Sequence, residues 1–269
     1  MLVRCSSLAE GWGSRVLDRV PDRSVLEKNR AAPGKGRRRA PPRLPGGFSL
    51  LELVIVLAVT LILTSLMLPA LTGVRKNVYK VISSSHLRQL GLGITMYARD
   101  YPDRLPYSDL LRQGLPMELM AAHIGDGRPE AWDGIGLLFS QGYCEAPEIF
   151  YCPGHPGEHT YEIYQCFWRK DFAGDRRIYT NYHYCGDVEW DNFGKRRRLD
   201  EGDNLVLVTD SFRTRADLNH QAGMNILRAD GSVRWHEFNN QFYALIPSDL
   251  VVDQTEYNDL WDELEKLPR

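Results

Sequence analysis

The chain has 269 residues, which is enough for one medium-sized domain beside a membrane segment. Its net charge of −2 conceals an asymmetry, because residues 1–47 hold 11 of the 33 Lys and Arg and four of the 35 Asp and Glu. The remaining part therefore carries 22 basic and 31 acidic side chains, a net charge of −9. Such an acidic part lacks the basic face that nucleic-acid binding requires, so we expect no nucleic-acid partner.

Residues 1–47 form a basic leader that we expect to be disordered. The stretch from Ala31 to Gly47 is rich in Pro, Gly and Arg and has no apolar periodicity. Its arginines at positions 37, 38, 39 and 43 lie just before the first apolar run. The positive-inside rule therefore predicts a cytoplasmic N-terminus, with the rest of the chain sent across the membrane.

Residues 48–71 form an apolar run that we interpret as a transmembrane segment. A helix needs roughly 20 residues, at ~1.5 Å each, to cross a bilayer. One acidic residue, Glu52, lies close to the basic end of the run. A carboxylate in hydrocarbon is costly and usually marks a function. A secretory signal peptide cleaved after the run is the alternative, but small residues suited to cleavage fit only weakly around Thr64–Leu66 and Pro69–Leu71.

The segment GFSLLEL at residues 47–53 resembles the cleavage and methylation signal of type IV prepilins and pseudopilins. The resemblance implies that a prepilin peptidase cleaves between Gly47 and Phe48 and methylates the new N-terminus at Phe48. It also implies that Glu52 pairs with the N-terminal ammonium of a neighbouring subunit during assembly, which would give the buried charge a partner. The leader is long for this family, so translation from Val25 is an alternative.

The resemblance implies an α+β fold, in which a long N-terminal transmembrane and amphipathic helix packs on an antiparallel sheet head. It implies a structural subunit of a type IV pilus-like or type II secretion pseudopilus assembly, held in the cytoplasmic (inner) membrane with an extracytoplasmic head. The implied partners are a prepilin peptidase, other pilin-like subunits bound through the N-terminal helix, and membrane lipid. The alternative is an extracytoplasmic binding module that uses the pilin-like N-terminus only as an anchor.

Residues 72–100 are expected to continue the same helix as an amphipathic segment. Ser83, Leu87, Leu90, Ile94 and Tyr97 recur at helical spacing and form one stripe, which predicts packing on a sheet. The helix should end before the Tyr-Pro pair at residues 101–102. The stretch from residue 86 to residue 106 also resembles a second sequence block of pilin-like proteins.

Residues 101–269 are expected to form the exported head, with a cysteine-rich middle. Cys144, Cys152, Cys166 and Cys185 are an even number in an exported domain, which favours two disulfides of undetermined pairing. Buried thiols are one alternative. Another is zinc held by Cys152, His155 and His159, with Cys166 or Cys185 as the fourth ligand. No catalytic motif is recognisable, so we expect neither an enzyme nor a cofactor.

Several secondary-structure elements are predicted in the head. Residues 117–124 suggest a short helix, and residues 178–184 suggest one aromatic strand. Residues 205–209 suggest a buried strand, and residues 225–229 and 232–236 suggest a hairpin. Asp230-Gly231 between them predicts a two-residue type I′ turn. Near the C-terminus, Asp253 and Glu256 predict a capping box at the start of an apolar-striped helix.

His220, Asp230 and Gly231 form an H-x9-DG pattern. It resembles an element near the C-terminus of a large prepilin-like family of unknown function. Two interpretations remain open. His220 and Asp230 could bind a metal or polar ligand, or the Asp-Gly pair could serve the turn while His220 hydrogen-bonds a loop onto the hairpin.

Overall fold

The structure is a computed structural model that describes residues 47–102, 104–115, 120–189, 195–200, 202, 204–248 and 254–268. The predicted disorder of the leader up to residue 46 and the predicted cap at Asp253 lie outside these residues. The fold is α+β with antiparallel sheets, and the chain divides into two compact units, residues 1–65 and 66–269.

The longest element is helix α1, Leu50–Asp100, with 51 residues. Among the described residues, its part from Leu50 to Leu68 is the one helical stretch long and apolar enough to cross a membrane. The side chains of that part are exposed. The helix ends at Asp100, as the following Tyr101-Pro102 pair predicts.

The remaining elements are short. In chain order they are α2 (Asp109–Arg112), β1 (Ala121–His123), α3 (Gly136–Ser140), a 3₁₀ turn (Pro147–Phe150), α4 (Tyr161–Tyr164), β2 (Ile178–Tyr179), β3 (Tyr182–Tyr184), β4 (Val206–Asp210), a 3₁₀ turn (Arg215–Asp217), β5 (Gly223–Arg228), β6 (Val233–Glu237), α5 (Asn240–Leu245) and α6 (Gln254–Lys266).

The second half of α1 is buried through the predicted stripe, since Ser83, Leu87, Leu90, Ile94 and Tyr97 all belong to the core. Two glycines allow its close approach to the head. A Cβ built at position 91 would lie 2.9 Å from a methyl of Leu227, and one at position 93 would lie 2.6 Å from Cys144 Sγ. The amphipathic prediction for this part of the helix is confirmed.

The main sheet has the strand order β3-β4-β5-β6, and every neighbouring pair is antiparallel. Strand β4 lies inside the sheet and is buried at all five positions, which explains the apolar run from Val206 to Val208 at its start. Helix α6 contributes Leu260, Trp261 and Leu264 to the same core. The three strands predicted at residues 205–209, 225–229 and 232–236 and the C-terminal helix are therefore confirmed to within about two residues.

Two predicted elements differ from the structure. Ala121–His123 is strand β1, paired with β2, so the helix predicted for residues 117–124 is wrong there. The single strand predicted for residues 178–184 is divided between two sheets. The division falls at Thr180 and Asn181, because Thr180 Oγ1 donates to Met120 O and the Asn181 amide bonds to the loop at Cys152. These side-chain contacts depend on distant residues.

The hairpin between β5 and β6 exists, but its turn is longer than predicted. Arg228 N donates to Ser232 O, and Gly231 N donates to Arg228 O. The loop therefore has three residues, with Gly231 at a φ of 78° as the residue in the left-handed region. The type I′ assignment is wrong because Ala229 belongs to the loop and not to the strand.

Candidate functional site

Asp210 is a buried carboxylate at the last position of β4. Its Oδ1 accepts hydrogen bonds from Ser83 Oγ at 2.5 Å and from Asn219 Nδ2 at 3.1 Å. Its Oδ2 accepts from Asn225 N at 2.6 Å and from Asn225 Nδ2 at 3.0 Å. Four donors match the acceptor capacity of a carboxylate. Asp210 therefore joins α1, β5 and the loop before β5 at one point.

Ser83 brings the long helix into this cluster. It has a single hydroxyl proton, which it donates to Asp210, so the Tyr182 hydroxyl at 3.2 Å donates to Ser83 Oγ. Tyr182 is opposite Asp210 in the register of β3 and β4 and is fully buried. A polar chain thus runs through an otherwise apolar interface between helix and sheet.

Cys152 lies in a tight turn, and the side chain of Asn181 makes two hydrogen bonds to the Cys152 backbone. Cys152 N donates to Asn181 Oδ1 at 2.5 Å, and Asn181 Nδ2 donates back to Cys152 O at 3.1 Å. Gly154 N donates to Cys152 Sγ at 3.4 Å. A Cβ at position 154 would lie 3.2 Å from His220 Cε1, so the glycine lets the turn approach the histidine.

His220 completes the cluster. Its Nε2 is 3.5 Å from Cys152 Sγ and 3.7 Å from Asp210 Oδ2. Its ring packs edge-on against Trp235, with 5.4 Å between the ring centroids. Lys80 Nζ lies 3.6 Å from the centre of the same Trp235 ring. Cys152, Asp210 and His220 therefore present three different donor atoms, all within 4.8 Å of one another.

The arrangement is not that of a cysteine nucleophile. A relay needs the sulfur and the acid on opposite ring nitrogens of the histidine, whereas here Nε2 of His220 faces both. Burial, with the charge of Asp210 as a further cause, raises the pKa of the Cys152 thiol well above its usual value. Burial also lowers the pKa of His220. The cluster thus lacks the thiolate–imidazolium pair of an activated cysteine.

A cavity of about 1070 Å³ reaches the cluster at His220. Its wall near the cluster includes Tyr79, Lys80, Gly154 and Trp235. Cys152 and Asp210 lie behind His220 and do not line the cavity. The histidine therefore separates the buried carboxylate and thiol from the cavity.

The zinc site that the sequence left as an alternative, with Cys152, His155 and His159 as ligands, is not formed among the described residues. His155 Nδ1 contacts Asn219 Oδ1 at 2.8 Å, and His159 Nδ1 contacts the Tyr164 hydroxyl at 3.1 Å. Only Cys152 of the three predicted ligands belongs to a group of metal-ligating residues in the described part of the chain. The Pro and Gly residues after His155 turn the backbone, so the two imidazoles do not converge with the thiol.

The predicted disulfides are also absent among the described cysteines: no bond joins Cys144, Cys152, Cys166 and Cys185 to one another. Cys144 faces α1, with its Sγ 4.0 Å from Gln89 O. Cys185 lies in the core beside β3. Burial raises the pKa of Cys144 to about 11 and that of Cys185 to about 12. Both behave as small apolar side chains.

Of the two interpretations left open for His220 and Asp230, the shared ligand site is not formed by these two residues. His220 precedes β5, whereas Asp230 follows it, and a strand of this length separates the two by roughly 17–20 Å. Asp230 Oδ1 accepts from Ser232 N at 2.8 Å within the turn. The turn interpretation of Asp230-Gly231 is confirmed, and the acid that faces His220 is Asp210.

The residues predicted for processing and assembly lie at the start of α1. Gly47, Phe48 and Ser49 precede the helix, and Phe48 is 83% exposed. Glu52 is an exposed residue of the first turn. Their predicted roles stay predictions.

Sequence reasoning missed the residues that build the cluster around His220. One signal was available, since the polar triplet at residues 209–211 directly follows the apolar run at residues 205–208. That pattern is also typical of a strand that simply ends at a loop. The missed residues are Ser83, Asn181, Asp210, Asn219 and Asn225.

A second cavity, of about 450 Å³, combines aromatic and cationic residues. Its lining includes Tyr97, Tyr101, Arg104, Arg196 and Arg197. A basic run in the sequence, such as that at residues 195–198, usually lies on a solvated surface, but the Arg197 side chain is only 8% exposed and pairs with Glu265 at 2.9 Å. Arg197 can be buried because α6 supplies the counter-charge.

Comparison of the sequence with family models, with curated proteins and with solved structures finds no match.

Proposed function

We propose that this chain is a prepilin-like structural subunit, anchored by one transmembrane helix and matured by a prepilin peptidase. It would assemble with other pilin-like subunits into a type IV pilus-like or type II secretion pseudopilus filament. One observation carries the proposal: a single helix of 51 residues begins with an exposed apolar stretch and continues as an amphipathic segment buried in a sheet-containing head. The proposal gives the chain no enzymatic activity.

The surroundings of the scissile bond support processing. Gly47 and Phe48 stand before the first helical residue, Leu50, and are exposed. A peptidase needs such an accessible, non-helical bond, because helical backbone already pairs its own N–H and C=O groups. Cleavage there would create a free ammonium four residues before Glu52.

The position of Glu52 supports assembly. The residue lies in the first turn of a segment suited to hydrocarbon, where an unpaired carboxylate is costly. The ammonium at Phe48 of a neighbouring copy would neutralise it. This pairing would make the membrane segments of two copies attract each other at a defined register.

The charge distribution supports the topology. The basic leader precedes the apolar stretch, and the remainder of the chain carries a net charge of −9. Positive residues are retained on the cytoplasmic side of membrane spans. The head would therefore lie outside the cytoplasmic membrane.

Mass spectrometry of the protein from membranes tests this function most directly. The expected N-terminus is N-methylated Phe48, and it should be lost in cells without the prepilin peptidase. A substitution of Gly47 by alanine should reduce cleavage, whereas substitution of Gly73, an exposed glycine of α1, should leave it unchanged. An intact leader in wild-type membranes, or a cut after Ala70, would overturn the proposal.

The second cavity favours one alternative, a membrane-anchored binding module. Its tyrosines and arginines are the side chains that bind acidic sugars or carboxylates, by stacking and by charge-assisted hydrogen bonds. A glycan array probed with the full chain in detergent tests this function. Retention of acidic glycans that is lost on substituting Arg196 by Gln would support it, and an array without retained glycans would remove it.

A further inference from the structure

We infer that Cys152 Sγ, His220 Nε2 and Asp210 Oδ2 form a binding site for one borderline divalent cation, with zinc as the best match. The site is independent of the proposed filament function. It differs from the two metal sites suggested by the sequence. Its histidine is His220 and not His155 or His159, and its acid is Asp210 and not Asp230.

Two of the three separations between the donor atoms are close to those around a shared ion, and the third, from Cys152 Sγ to the Asp210 carboxylate, is within 4.8 Å. With Zn–S of about 2.3 Å and Zn–N of about 2.0 Å at a tetrahedral angle, sulfur and nitrogen are about 3.5 Å apart, and nitrogen and oxygen about 3.3 Å. The observed separations from His220 Nε2 are 3.5 Å to Cys152 Sγ and 3.7 Å to Asp210 Oδ2. The second separation exceeds the usual 2.7–3.2 Å of an N–H···O hydrogen bond. His220 Nε2 therefore has a thiol at hydrogen-bonding distance and a carboxylate oxygen beyond it, and one ion between the three groups would bond to all of them.

The chemistry of the donor set selects the ion. Thiolate, imidazole and carboxylate together suit zinc and neighbouring transition metals, whereas calcium and magnesium require oxygen ligands. A thiolate at Cys152 and the Asp210 carboxylate would balance the two positive charges of the ion. Binding would release the Cys152 proton to solvent, which is the usual coupling between metal binding and thiol ionisation.

Groups behind the ligands are placed to support them. Gly154 N donates to Cys152 Sγ, which favours the thiolate. Asn219 and Ser83 hold Asp210 Oδ1, so they orient the carboxylate with Oδ2 toward His220. Asn225 Nδ2 has a second acceptor in Lys80 O at 3.2 Å, so it keeps a partner if the ion takes its place on Oδ2.

The cavity of about 1070 Å³ ends at His220, so an ion that enters from it meets the imidazole of the site first. Three protein ligands leave a fourth tetrahedral position for water. Arg75, Lys76 and Lys80 all line the cavity, and Lys80 is the one that acts on His220, with its ammonium over the Trp235 ring. The two negative ligands outweigh that charge. The ion would link three chain segments that only the fold brings together, those at residues 152, 210 and 220.

Cobalt(II) provides a direct probe, because a bound thiolate gives a sulfur-to-cobalt charge-transfer band and a tetrahedral site gives intense visible bands. The full chain, purified in detergent under reducing conditions and treated with chelator, would be titrated with cobalt and then with zinc. We expect one equivalent of cobalt with a thiolate band, its displacement by one equivalent of zinc, and a melting temperature that rises with zinc concentration.

Matched variants assign the ligands. Substitution of Cys152 by Ala or of His220 by Gln should weaken binding at least 100-fold, since loss of an outer partner alone typically costs 10–100-fold. Cys144→Ala and His159→Gln, a buried thiol and a nearby imidazole outside the cluster, should bind as wild type. Asp210 is left unchanged in the test because its four hydrogen bonds also support the fold.

Two results would overturn the site. The first is that wild-type protein shows no thiolate band at millimolar cobalt although a cooperative melt shows that it is folded. The cluster would then be only a hydrogen-bonded connection between helix and sheet. The second is that Cys152→Ala and His220→Gln bind cobalt with wild-type affinity, which would mean that the ion binds elsewhere. If one of the two variants fails to fold, the other still decides the assignment.

Discussion

Ser83 on α1 and Asp210 at the end of β4 are 127 positions apart in the sequence and are joined by a buried hydrogen bond of 2.5 Å. The contact lies inside an apolar stripe that by itself would allow the helix to slide along the sheet. A buried polar pair permits only one alignment, because any other would leave the carboxylate without one of its donors. The pair therefore sets the register between helix and sheet.

Substitution of Ser83 by Ala should destabilise the head. It removes one donor to a buried carboxylate, a loss of about 2 kcal/mol, which for a domain of this size lowers Tm by about 4–8 °C. Thermal unfolding of the full chain in detergent measures this change. Ser85→Ala, at an exposed position of the same helix, is the control and should leave Tm unchanged. Equal melting of the two variants would show that the Ser83–Asp210 bond contributes nothing to stability.

Replacement of a helix glycine by alanine should have opposite effects at positions 93 and 73. Gly93→Ala introduces a Cβ that would lie 2.6 Å from Cys144 Sγ, and such overpacking costs about 1–3 kcal/mol. Gly73→Ala meets nothing within 4 Å and should stabilise the helix by up to about 1 kcal/mol. Chemical denaturation of both variants tests the pair. A stabilised Gly93→Ala variant would mean that Cys144 moves aside without cost.

Asp133 should make stability depend on pH in a narrow window. Burial raises its pKa from 3.8 to about 6, although Ser108 Oγ and Asp109 N both donate to it. Between these values the folded state binds more protons than the unfolded state, so the contribution of Asp133 is present below pH 3.8 and is lost as pH rises through about 6. Asp133→Asn removes this dependence.

The measurement for Asp133 is the difference in unfolding free energy between Asp133→Asn and wild type from pH 4 to pH 7. The variant should gain roughly 2–3 kcal/mol relative to wild type over that range. The histidines titrate equally in both proteins and cancel in the difference. A difference that does not change with pH would contradict the raised pKa.

Glu52→Gln should uncouple processing from assembly. Glu52 is not one of the two residues joined by the scissile bond, so cleavage after Gly47 should continue. The attraction to the Phe48 ammonium of a neighbouring copy is lost. Chemical crosslinking in membranes should then show several-fold fewer dimers and higher oligomers. Glu52→Asp retains the charge and should crosslink more than the glutamine variant. If Glu52→Gln formed as many crosslinked oligomers as wild type, the Glu52 carboxylate would have no role in assembly.

Periodicity was sufficient for the elements whose contacts repeat along the chain. The stripe from Ser83 to Tyr97 was predicted because a helical face recurs every 3.6 residues. The end of α1 at Asp100 was predicted from the Tyr-Pro pair that follows it. Short segments were less predictable. Ala121–His123 became a strand because β2 offers a partner, and the aromatic segment at 178–184 divided because Thr180 and Asn181 bond to distant groups.

The amino-acid sequence alone determined the exposed apolar stretch, its amphipathic continuation and the strands of the hairpin, because each depends on residues a few positions apart. It also directed attention to Cys152 and His220 without identifying their partner. Only the tertiary structure decided that Asp210 faces both, and that Asp230 serves the turn. The physical reason is that a buried carboxylate needs donors from several elements, and only packing of the helix on the sheet brings those donors together.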